Sequence, residues 1–123
     1  MKRLLTLATI GAAALAFNAS AHGPDKAQHG GVVQGGGDLS FELVAEPGGA
    51  SIYVVDHGKP ADVSKMSGKL TVLNGADKSE AELKPAAPNK LEAKDVKLAS
   101  GAKAVATVTT ATNKVVTVRF VAK

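Results

Sequence analysis

The sequence predicts an all-β protein: an antiparallel β-sandwich of about seven or eight short strands, following a cleaved export signal. Three observations predict it. Apolar and polar residues alternate with a period of two, and turn-forming clusters interrupt the alternation at short, regular spacing. The third is an apolar, uncharged run of about fourteen residues behind Lys2 and Arg3, which sets the N-terminus apart from the domain.

That run covers residues 4–17 and ends in Ala19-Ser20-Ala21, the small-x-small pattern of a signal-peptidase site. It is too short for a permanent membrane span, for which about twenty residues are needed. Ala14-Leu15-Ala16 fits the pattern too, but a cut there leaves no polar stretch before it. Cleavage is therefore expected after Ala21, giving a periplasmic protein with no stable membrane insertion. Residues 22–37 read as a flexible, His- and Gly-rich arm with a first short strand, and residues 38–123 as the sandwich.

Along the domain, Leu39, Phe41, Leu43 and Ala45 share one face, with Ser40 and Glu42 on the polar one. Ile52 and Val54 alternate with Tyr53 and Val55, and Leu70 and Val72 with Lys69 and Thr71. Ala81 and Leu83 alternate with glutamates, Leu91 and Ala93 with Lys90, Glu92 and Lys94, and Val116, Val118 and Phe120 with Thr117 and Arg119. One greasy and one polar face is the pattern of half-buried antiparallel strands. Residues 103–110 are rich in alanine, a weak strand former, but their valines and threonines favour strand. Turns are expected at Glu46-Pro47-Gly48-Gly49, His57-Gly58-Lys59-Pro60, Asn74-Gly75-Ala76-Asp77, residues 85–89, Ser100-Gly101 and Thr112-Asn113.

Composition narrows the function. Without Lys2 and Arg3, thirteen basic side chains face eleven acidic ones, interspersed and with no basic stripe, which argues against nucleic acid as a partner. The absence of cysteine excludes a thiolate metal site and leaves the core alone to hold the fold. Gly35-Gly36-Gly37-Asp38 precedes a strand, so it is no phosphate loop, and no nucleophile elbow is present. An enzyme is not expected.

The chain's three histidines, His22, His29 and His57, are each followed by glycine, which permits a turn and leaves the ring free to point outward. Cleavage after Ala21 would make His22 the first residue, so its imidazole and α-amine can chelate one metal, a nitrogen pair suited to Cu(II). The bland reading of this residue is a frayed, idle terminus. His29 reads either as a ligand or as an exposed loop residue. In Asp56-His57-Gly58 the carboxylate either orients the ring or supplies an oxygen ligand; the plain alternative is a turn. Met66 is a soft ligand or, more commonly, a gap-filler.

His29-Gly30-Gly31-Val32-Val33, Phe41-Glu42-Leu43-Val44, Ile52-Tyr53-Val54 and Asp56-His57-Gly58-Lys59-Pro60 together resemble a known group. It comprises small periplasmic proteins and the N-terminal heavy-metal-associated domains of RND-type metal-efflux adaptors. The resemblance implies a β-sandwich, a role in copper or related metal resistance, association with a metal-efflux system, and His29 and His57 as ligands. The helical hairpin of a full adaptor is absent, so a free-standing carrier or sequestering protein fits better. The mature His22 start on a β-sandwich also resembles periplasmic copper carriers.

The reading is thus a periplasmic binder of a transition metal, copper before zinc or another divalent ion. Its ligands are His22 with its amine, His29 and His57, with Asp56 in support. Histidine and α-amine nitrogens titrate near about 6.5 and about 7.7–8.0, so affinity should fall as pH drops through that range. The rival is a non-metal structural or interaction module. Convergence of the three rings on one point separates the two.

Overall fold

The computed structural model describes residues 26–123. The signal segment, its cleavage site and His22 lie outside the described residues. Among the described residues all regular structure is strand: β1 (Val32–Gly36), β2 (Leu39–Glu46), β3 (Gly49–Asp56), β4 (Lys59–Pro60), β5 (Ser67–Asn74), β6 (Asp77–Ala87), β7 (Lys90–Lys94), β8 (Lys103–Thr109) and β9 (Val115–Val121). Eight of them form an antiparallel series, β1-β2-β3-β7-β6-β5-β8-β9, and the two-residue β4 pairs with the end of β3. The all-β antiparallel expectation holds.

Two sheets share β6. Its first part pairs with β5, from Asp77 opposite Asn74 to Leu83 opposite Gly68, and its last part with β7. The register slips between Pro85 and Ala87, a bulge at which a proline lacking its N–H is tolerated and the strand bends. The series then curls until β1 lies against β9, leaving the sheet nearly closed into a barrel. The approach at this seam is tight: a Cβ on Gly36 would fall 2.6 Å from Val116 Cγ1 and 2.9 Å from Val118 Cγ2. Only glycine fits there.

The inward positions of each strand make one core, with Phe41, Leu43, Ile52, Val54, Leu70, Val72, Leu83, Leu91, Val108 and Phe120 buried. Residues 103–110 do form a strand, because burial of Ala104, Ala106 and Val108 overrides alanine's weak propensity. Two connections close the ends of the barrel. One, residues 61–66, buries Ala61, Val63 and Met66. It is tied by Ala61 N donating to Val54 O at 3.0 Å and Val63 N to Pro88 O at 3.1 Å. The other, residues 95–102, buries Val96 and Ala102 and is held by Asn74, whose Nδ2 donates to Lys97 O at 2.8 Å.

Candidate functional site

His57 stands at the rim, in the hairpin between β3 and β4. Asp56 opposes Lys59, so His57 and Gly58 form a two-residue loop, with φ of 52° and 84°. Both central residues left-handed is the type I′ geometry that suits the twist of a hairpin. Its ring is exposed, and Nδ1 lies 2.5 Å from Asp56 Oδ1. An ionised carboxylate only accepts, so this bond places the ring proton on Nδ1. Nε2 has no partner among the described residues. The pair borders an open cleft of about 490 Å³, also lined by Asp38, Leu39, Met66, Thr110, Thr112 and Lys114. Met66 is 7% exposed and belongs to the core, so it fills the barrel end and also touches the cleft.

His29 is elsewhere. Glu42, assigned by alternation to the solvent face of β2, is buried because residues 28–31 fold back over it. Its carboxylate accepts the N–H groups of Gln28 at 2.9 Å, His29 at 2.8 Å and Gly31 at 2.8 Å, and His29 Nδ1 at 3.2 Å. Burial pushes the Glu42 carboxyl up, but the three backbone donors and the His29 ring outweigh it and hold it below the usual carboxylate range. The imidazole stacks on Tyr53, directly across from Glu42 on β3, with centroids 3.6 Å apart and planes within 6°. Lys90 Nζ, from β7, lies 5.8 Å from the Tyr53 ring centroid. Residues 28–31 of the segment read from sequence as an arm are therefore docked against β2 and β3.

The two histidines form separate pairs, His29 with Glu42 and His57 with Asp56. Tyr53 and Asp56 are three residues apart on β3, roughly 10 Å at strand rise. Among the described residues no group of three or more His, Cys, Asp or Glu side chains stands ready to hold a metal ion. Of the expected cluster of His22, His29, His57 and Asp56, His22 lies outside the described residues, and the structure places His29 apart from the Asp56–His57 pair. Sequence reasoning missed Glu42 as the arm's anchor. Its signal was an acidic residue downstream of a His-Gly-Gly turn whose backbone N–H groups needed an acceptor. Compared with models of known families, with curated proteins and with solved structures, the chain has no match.

Proposed function

We propose that the protein is a periplasmic transition-metal binder, copper foremost, acting as a carrier or sequestering protein rather than an enzyme. The metal is received at the cleft beside the β3–β4 hairpin. The observation that supports this is the Asp56–His57 pair. A carboxylate on Nδ1 leaves Nε2 as the donor nitrogen, the arrangement in which ligating histidines are oriented. Asp38 and Met66 also line this cleft, but with Asp56 and His57 they do not form a ready ligand group among the described residues, so a bound metal would have to draw them in. Completion of the coordination falls to His22 and its amine. His29 lies seven chain steps after His22, up to about 25 Å of extended chain, against roughly 13 Å from Tyr53 to His57. His29 then serves as anchor of the arm rather than ligand.

The docking of His29 on Glu42 and Tyr53 equally suits the second reading, a non-metal module whose histidines are structural. A competition titration of the exported form against a chelator at constant pH separates the two. His57→Asn keeps a residue that tolerates the left-handed turn, and should weaken Cu(II) binding tenfold or more, about 1.4 kcal/mol. Equal affinities for wild type and His57→Asn would refute the cleft site and leave the module.

A further inference from the structure

We propose that residues 28–31 are an acid-released strap, held shut across Tyr53 by the ionised carboxylate of Glu42 and opening as a unit while the barrel stays folded. One carboxylate offers about four acceptor sites, and four donors occupy them: three backbone N–H groups and the His29 ring. Protonation removes a site and the charge, and charge-assisted bonds are roughly twice as strong as neutral ones. Among the described residues the strap's side-chain hydrogen bonds to the barrel all end on Glu42; its other contacts are the His29–Tyr53 stack and the close approach of Gly31 to Leu43 and Val44.

The groups around Glu42 decide the trigger. The strap contributes His29, β3 contributes Tyr53, and β7 contributes Lys90, which also lies 3.8 Å from Glu46 on Glu42's own strand. The residues of β1 carry no ionisable side chain. His29 donates through Nδ1 as neutral ring or as cation, so its protonation leaves the strap closed. Glu42 is held below the ordinary value of 4.5. Docking is therefore fully present above the ordinary carboxylate range and is lost as pH falls through the lowered value. Glu42 is also the one ionisable side chain among the buried residues described, so acid acts on the strap and spares the core.

Tyr53 is the chain's only tyrosine and there is no tryptophan, so intrinsic fluorescence reads the strap directly. Wild-type emission should change in one acid step with its midpoint below 4.5, while far-UV circular dichroism keeps its β signal. Glu42→Gln should show the acid-form emission already at neutral pH and no step. In the wild type, the amides of Gln28, His29 and Gly31 should lose protection from hydrogen exchange by about tenfold or more in that step, with those of Ile52 and Leu70 unchanged. That measurement decides the matter even if Glu42→Gln does not fold. Emission and exchange that change only with global unfolding would overturn the strap, as would Glu42→Gln emission equal to wild type at neutral pH.

Discussion

Ser51 and Glu42 are both buried polar side chains on neighbouring strands, and their circumstances are opposite. Glu42 has four donors, whereas Ser51 is fully buried and its Oγ has no hydrogen-bond partner. A buried hydroxyl left unsatisfied costs about 1–3 kcal/mol relative to solvent, and alanine carries no such group. Ser51→Ala should therefore raise the unfolding free energy by about 1 kcal/mol in urea titration. A loss of stability would mean that the hydroxyl is in fact satisfied. Neither residue was legible from alternation, which assigns positions to a face and cannot say what covers that face. Glu42 is covered by a segment eleven to fourteen residues upstream, a separation that no local period encodes.

The strands were legible because period-two alternation reports directly which side of a strand meets the core. The segments around Phe41, Ile52, Leu70, Leu83, Leu91, Val108 and Phe120 are strands, and their inward residues are buried. Turns were legible where glycine or asparagine takes a left-handed conformation, as at Gly48, Gly75 and Asn113. The stretch 85–89 was read as a turn throughout, yet β6 continues to Ala87 because β7 pairs with it through the bulge. Val63 and Val96 were missed as core because they sit on connections without periodicity, whereas Met66 packs in the core as a gap-filler does. The β3–β4 hairpin carries its own test. His57 sits at φ 52°, where a β-branched side chain is strained by about 1–2 kcal/mol. His57→Val should lower the thermal midpoint measurably and His57→Asn should not. Equal midpoints for the two would show that the turn does not constrain residue 57.

At the scale of the whole molecule, the pairing order fixes where the chain ends. Neighbours alternate in direction through eight strands, so β1 and β9 run oppositely and the start of one lies beside the end of the other. Gly30, Gly31 and Val32 accordingly line the same groove as Ala122 and Lys123. The entry to the domain and its exit are neighbours, and the order in which strands are written along the chain is separable from the order in which they pair. A circular permutant that joins residue 123 to residue 28 through a short glycine linker, reopened between Gly75 and Ala76, should fold to the same barrel. Its circular dichroism should match the parent, and its unfolding should stay cooperative, since the new ends fall at an exposed turn. Loss of cooperative unfolding would mean that the β5–β6 hairpin must close first for the rest to assemble. A permutant that folds would carry its free ends at the Gly75–Ala76 turn and leave the β1–β9 seam covalently bridged.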